Sequence, residues 1–262
     1  MNLHYEVHDG RGPFLLLVHG ILSSRSQWAL NLEAFAMVTT PVVVELWGHG
    51  RSPAPDETTA YSPEGYIDAF EAVRTELGAD RWLVCGQSLG AALTLRYALE
   101  CPQRVMAQVF TNSRSALADD AWRRGVEASL PQLVSDIETR GLDAVRALRI
   151  HPHRARRLPA VVKDAIVADA DALDVTALVN AFRYTVPASS VRDRVAETSV
   201  PTLLVAGRRE QAFDSARLFA INTIAGLEVV DLDGGHAVNA EASAEFNTAV
   251  VDFLRARAPQ GS

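Results

Sequence analysis

Ser88 is the residue around which this chain is organised. It stands in Val84-Cys85-Gly86-Gln87-Ser88-Leu89-Gly90, where an apolar run from Trp82 to Cys85 reads as a buried strand and the stretch from Ala91 to Glu100 as a helix. A serine at a sharp strand-to-helix turn is held clear of the sheet with its hydroxyl presented as a nucleophile. Gly86 and Gly90 flank it at two residues on either side and leave room for strand and helix to pass closely. At the first turn of the helix, free N–H groups and the positive dipole end favour negative charge on a substrate oxygen. The chemistry indicated is acyl transfer through a covalent intermediate. Such an oxygen needs a second donor. The loop Gly20-Ile21-Leu22-Ser23-Ser24 follows another apolar run, Phe14 to Val18, and the N–H of Ile21 is the candidate to join that of Leu89 in an oxyanion hole. Against this stands the plainer reading of a glycine-flanked turn with an incidental serine.

The elements that must position these groups alternate along the chain. Leu3, Tyr5 and Val7 alternate with polar residues as in a half-buried first strand. Phe14 to Val18 is a short continuous apolar run of the kind buried on both faces of a sheet, Pro41 to Leu46 and Pro201 to Ala206 read as further buried strands, and Val105 to Phe110 and Leu227 to Leu232 as the remaining strands. Helices are expected from near Ser26 through Phe35, from Ser62-Pro63-Glu64 to Gly78, and from about Ala242 to Arg255. Between about Asn112 and Ser199 strand-like runs vanish. Helical periodicity there predicts helices over Asp119 to Leu130, Gln132 to Thr139, Leu142 to Arg149, Pro159 to Leu173 and Val175 to Tyr184. This stretch holds a basic cluster of Arg146, Arg149, His151, His153, Arg154, Arg156 and Arg157. A solvated face is its default reading, and recruitment of an acidic substrate the sharper one. His151 and His153 have the spacing of a metal pair but lack a clear set of partner ligands.

Composition narrows the function further. The 262 residues are enough to bury a full core, and a formal net charge of −7 offers no basic surface for a nucleic-acid backbone. No apolar run approaches the roughly 20 residues that span a bilayer, and the N-terminus lacks a basic-then-apolar signal pattern. The two cysteines, Cys85 and Cys101, lie at opposite ends of one strand-turn-helix unit and are expected to stay unpaired, which fits a reducing, cytoplasmic setting. Neither a Walker loop nor a dinucleotide fingerprint is present.

His19-Gly20, Gly48-His49-Gly50-Arg51-Ser52 and Gly86-Gln87-Ser88-Leu89-Gly90 follow one another on successive predicted strand ends. In that order they resemble the α/β-hydrolase superfamily across nearly the whole chain. The resemblance implies a mostly parallel central sheet flanked by helices, with a core of residues 1–111 and 199–262 and a helical cap of residues 112–198. It implies a triad of Ser88, His236 and a carboxylate three residues after Gly207, which is Glu210, with Asp214 in reserve. His236 follows the last predicted strand on the loop Asp233-Gly234-Gly235-His236, and serine, acid, histidine is the chain order of this fold. His19 and His49 are then structural, and Trp47 either lines the pocket or packs.

The expected activity is hydrolysis of a carboxylic ester of small or medium size by a monomer or homodimer, with no metal or cofactor. Ser88 argues against dehalogenases and epoxide hydrolases, whose relatives carry aspartate there. Gly207, Glu210 and Phe213 are spaced as in meta-cleavage C–C hydrolases and the menaquinone-pathway synthase branch. The latter usually has arginine four residues after the nucleophile, where this chain has Ala92. A non-catalytic binding module is the remaining reading, which retention of all three triad positions disfavours.

Overall fold

The computed structural model describes residues 1–257; residues 258–262, which close the expected core segment, lie outside the described residues. The strands are β1 (Tyr5–Val7), β2 (Phe14–Val18), β3 (Thr40–Val44), β4 (Trp82–Gly86), β5 (Val105–Phe110), β6 (Thr202–Gly207) and β7 (Glu228–Leu232). They form one seven-stranded sheet in the order β1-β3-β2-β4-β5-β6-β7. Only β1 runs antiparallel, against β3. All other pairings are parallel, so their connections must cross the faces and cover them with helices. The helices are α1 (Leu32–Ala36), α2 (Pro63–Glu76), α3 (Leu89–Glu100), α4 (Asp120–Arg140), α5 (Leu142–Ala147), α6 (Ala160–Asp171), α7 (Val175–Asn180), α8 (Asp214–Thr223), α9 (Val238–Glu241) and α10 (Ser243–Arg255).

The period of two along the central strands divides the core. Leu16, Val18 and Val84 face α2 and α3 through Phe70, Val73 and Tyr97, whereas Leu15, Leu17 and Cys85 face Phe35, Phe246 and Leu254 on α1 and α10. Each fully buried Leu, Val or Phe contributes about 1.5–3 kcal/mol. The two-sided burial of β2 and β4 therefore makes the sheet centre the most firmly held part of the chain, and both candidate site loops leave from it. Cys85 is buried, Cys101 half-buried, and both are free thiols.

Several expectations need correction. Pro131 does not divide the first inserted helix: α4 runs unbroken from Asp120 to Arg140. The carbonyl that Pro131 leaves unbonded belongs to Glu127, at an exposed position where water can replace the lost donor. The helix expected from Ser26 to Phe35 is a 3₁₀ turn, Arg25–Trp28, followed by the five-residue α1. The last helix stands as expected, as α10, but a short α9 that was not expected precedes it at Val238–Glu241. Val7 is exposed, and Leu3, just before β1, carries the burial instead.

Between β5 and β6 the described chain is helical, with α4 to α7 and a π-helical turn at Ala181–Thr185. Val134, Ile137, Val145 and Leu178 of this insertion cluster around Leu22. Ile166 of α6 packs on Ala240 of α9, and the Asp169 carboxylate accepts from the hydroxyls of Ser24 at 2.5 Å and Ser26 at 3.2 Å. The insertion thus rests on the loop after β2 and on the helix after His236. Among the described residues no helix is long and apolar enough to cross a membrane.

Candidate active site

Ser88 joins β4 to α3 with φ +55° and ψ −117°, in the left-handed range that a side chain rarely occupies. Close packing holds it there. A Cβ on Gly90 would collide with the carbonyl oxygen of Val18, and one on Gly86 with the carbonyl oxygen of Gly90, so only glycine lets α3 pass the ends of β2 and β4. Gln87 secures the same turn: its N–H donates to the Val18 carbonyl at 3.0 Å and its side-chain amide to the His236 carbonyl at 3.1 Å.

The loop after β7 brings His236 to the serine. Nε2 lies 2.8 Å from Ser88 Oγ, and Nδ1 lies 2.9 Å from Glu210 Oε2, on the loop after β6. Ionised Glu210 can only accept, which puts the proton on Nδ1 and leaves Nε2 to accept from the serine hydroxyl. The ring borders an open cavity, and 49% of the side-chain surface is accessible. Surrounding protein still disfavours the imidazolium by desolvation, but the hydrogen bond and charge of Glu210 outweigh this and raise the His236 pKa above the ordinary value. For Glu210, burial works against ionisation and is overcome by the hydrogen bond and charge of His236, the amide of Asn112 and the charge of Arg114, so its pKa is lowered.

Asp214, the reserve carboxylate, is exposed at the head of α8 and makes no bond to His236. Arg209, next to Glu210 in the chain, pairs with Asp233 instead. Leu89 opens α3, and the Ile21 loop lies beside it. Among the described residues neither N–H donates to a protein acceptor. The neighbouring Leu22, at φ +56°, is among the described residues the only non-glycine besides Ser88 with a positive φ. Its side chain is buried in the insertion cluster, which holds the loop in that conformation.

Three supporting residues escaped the sequence reading. Asn112, fully buried just past β5, donates from Nδ2 to Glu210 Oε2 at 2.9 Å and to the Gly207 carbonyl at 3.0 Å, while its Oδ1 accepts from the Gly207 N–H at 2.9 Å. Glu241 on α9 accepts from the N–H groups of Gly235 at 2.8 Å and Ala237 at 3.3 Å, bracing both sides of His236. Buried Asn239 bonds to Gln27 at 2.7 Å and Asn31 at 3.0 Å, tying α9 to the chain after the Ile21 loop. An Asn or Glu outside any motif carries no such signal in a single sequence.

The other histidines are placed as expected. His19 is fully buried, with Nε2 accepting from the Leu46 N–H at 3.1 Å and Nδ1 donating to the Gly20 carbonyl at 2.7 Å. Burial, with His49 beside it, pushes its pKa down to about 3. His49 is buried and bonds to the Trp47 carbonyl at 3.0 Å. Trp47 packs on Tyr66 in the core and is not on the wall of the Ser88 cavity. Ala92 is buried inside α3 in an apolar cluster with Leu95 and Phe110.

Ser88 and His236 open into a cavity of about 400 Å³ between the core and the insertion. Leu22, Ile150, Leu158 and Ile166 give it apolar walls, and Arg149, His151 and Arg154 come from the basic cluster. His151 and His153 are hydrogen-bonded to each other, Nδ1 to Nδ1, at 2.8 Å. Among the described residues no group of three or more His, Cys, Asp or Glu side chains is placed to hold a metal ion.

The sheet order, the serine turn and the hydrogen-bonded chain from Ser88 to Glu210 are those of an α/β-hydrolase. The chain belongs to the α/β hydrolase fold family, whose profile matches residues 13–243, and hydrolase is the activity class that goes with it. A protein of Rhizobium rhizogenes, provisionally named a carbamate hydrolase, RutD, is 28% identical over 97% of this chain and 98% of its own. MenH from S. aureus superposes with a TM-score of 0.84 at 19% identity over 97% of this chain and 98% of that one. The enol-lactonase from Burkholderia xenovorans superposes with a TM-score of 0.81 at 22% identity, covering 96% of each chain. At these identities the structural likeness is one of fold.

Proposed function

We propose that the protein is a serine hydrolase that cleaves a carboxylic ester through an acyl-enzyme, with Ser88, His236 and Glu210 as its triad and the helical insertion as a cap over the site. The observation that carries this reading is the unbroken chain from Ser88 Oγ through His236 to Glu210, at 2.8 and 2.9 Å, on a serine held at positive φ. In the first step His236 Nε2 takes the hydroxyl proton as Oγ attacks the carbonyl carbon, and Glu210 stabilises the imidazolium. The N–H groups of Ile21 and Leu89 receive the oxyanion, each contributing about 3 kcal/mol or more to the transition state. The imidazolium then protonates the leaving alcohol, and the same histidine activates water to release the acid. The apolar cavity of about 400 Å³ suits a small to medium acyl group. The names of two relatives, a carbamate hydrolase and a lactonase, both describe attack at a carbonyl carbon bonded to oxygen, which supports the reading.

The test combines fluorophosphonate labelling with hydrolysis of p-nitrophenyl esters of about two to twelve acyl carbons. The expected result is stoichiometric labelling and a chain-length optimum, both lost in a folded Ser88→Ala variant. Labelling with no turnover of any ester would leave the activated serine standing and refute ester cleavage. Turnover that survives Ser88→Ala would refute the mechanism.

A further inference from the structure

The basic cluster is concentrated where the chain as a whole is acidic. The protein carries a formal charge of −7, yet residues 144–163 contain five arginines, two histidines, one lysine and no carboxylate. Its members are not equivalent in the fold. Arg146 is neutralised by Asp171 at 3.0 Å, and Arg156 and Arg157 are exposed away from the cavity wall. Arg149 and Arg154 line the cavity that holds Ser88 and His236, and among the described residues neither makes a salt bridge. Arg154 has only a long 3.4 Å contact to the Ala147 carbonyl.

The turn between them is fixed. His151 is fully buried, with Nδ1 bonded to His153 and Nε2 3.4 Å from Asp171 Oδ1, and its side chain caps the 3₁₀ turn Pro152–Arg154. A packed turn of this kind sets the directions from which two long side chains leave. The carboxylates on the cavity wall offer them no partner: Glu210 is bonded to His236 and Asn112, and Glu241 to two backbone N–H groups. A cavity otherwise walled by Leu22, Ile150, Leu158 and Ile166 therefore has on its wall two solvent-exposed arginines that make no salt bridge among the described residues.

We propose that Arg149 and Arg154 form an anion subsite of the Ser88 cavity, so that the preferred substrate is an ester whose acyl chain ends in a carboxylate: a monoester of a medium-length dicarboxylic acid. This rests on the ester-cleaving reading of Ser88 and specifies its substrate class. The apolar walls take the methylenes, and the planar guanidinium groups take the terminal carboxylate through charge-assisted hydrogen bonds.

The test compares the 4-nitrophenyl monoester of adipic acid with an uncharged 4-nitrophenyl ester of equal chain length. In the wild-type protein kcat/KM for the acid is expected to exceed that for the neutral ester by about tenfold or more, as charge-assisted bonding requires. In Arg149→Gln/Arg154→Gln this preference collapses to about one, chiefly through KM, and in the wild type it weakens toward ~0.5 M salt. Arg156→Gln, a charge of the same cluster outside the cavity, keeps the preference and separates the subsite from the general field. A wild-type preference near one, or one that survives the double substitution, would overturn the proposal. Calorimetric binding of adipate to Ser88→Ala provides a readout independent of turnover. Adipate binding that weakens about tenfold with both arginines replaced, in a protein that hydrolyses no ester, upholds the subsite and removes the ester reading. Adipate binding indifferent to the arginines removes the subsite whether or not esters are cleaved.

Discussion

Replacing Glu210 by Gln tests the charge in the proposed triad separately from its geometry. Oε2 of Glu210 accepts from two donors, His236 Nδ1 at 2.9 Å and Asn112 Nδ2 at 2.9 Å. Asn112 cannot rotate to offer its oxygen, because Nδ2 also donates to the Gly207 carbonyl and Oδ1 accepts from the Gly207 N–H. A glutamine here must place its carbonyl oxygen where Oε2 lies, so it still accepts from His236 and keeps Nε2 free to serve as the base. What disappears is the negative charge. A charge-assisted hydrogen bond contributes about 1.5–3 kcal/mol, so the expected fall in kcat is at most roughly 10- to 150-fold. A triad in which the replacing amide presents its NH₂ to the imidazole loses about 10⁴-fold.

The pH profile gives a second, signed readout. Glu210 raises the His236 pKa against desolvation, and the base must be neutral to act. Without the charge the desolvation remains, so the acid limb of kcat/KM moves to lower pH. Ester hydrolysis followed across pH in the wild type and Glu210→Gln measures both effects. A 10⁴-fold loss, or an acid limb that stays in place or moves upward, would refute the argument. Wild-type activity would show that Glu210 is not the triad acid.

Two further outcomes follow from buried polar groups. Asn112→Ala leaves the Gly207 N–H without its partner while the Gly207 carbonyl keeps the Glu210 N–H at 3.2 Å, so at about 1–3 kcal/mol for a buried unpaired donor the variant should lose about 1–3 kcal/mol in urea denaturation as well as activity. His19 is held neutral in the fold with a pKa of about 3 and regains an ordinary value near 6.5 on unfolding, so below pH 6.5 the unfolded state binds the extra proton. Stability should therefore fall by about 1.4 kcal/mol per pH unit between those values from this residue, with buried His49 acting in the same direction. His19→Asn, which cannot take that proton, should flatten the slope of urea-derived stability between pH 7 and 5; an unchanged slope would refute the assignment.

How much of this was legible in the sequence depended on how far apart the cooperating residues lie. The central strands were readable because burial on both faces demands uninterrupted apolar runs, as in Phe14–Val18 and Trp82–Gly86. Ser88 was readable because its turn needs glycines at two neighbouring positions, and His236 and Glu210 because each sits just past a strand end. The 3₁₀ turn at Arg25–Trp28 and the unbroken α4 were not, since periodicity does not register whether a freed carbonyl meets water or protein. Asn112 was hidden for another reason. Its partners, Gly207 and Glu210, lie nearly a hundred residues downstream, and only the pairing of β5 with β6 brings them together. The cavity membership of Arg149 and Arg154, as against Arg156 and Arg157, depends likewise on how one turn packs.

The position of Asn112 bears on how this architecture can be recombined. The chain leaves the sheet at Phe110 and rejoins it at Thr202, which invites transplantation of the intervening helices between relatives to exchange substrate preference. A splice made directly after the strand would carry Asn112 away with the donor segment and sever the clasp it forms on Gly207 and Glu210. The interchangeable part starts beyond residue 112, and a recipient must also keep a surface for Leu22 and Ala240, on which the inserted helices rest. If Glu210 is the acid proposed above, the seam between scaffold and inserted helices runs through its support, and a chimera that ignores it would gain a new cavity wall at the expense of the Ser88–His236–Glu210 chain.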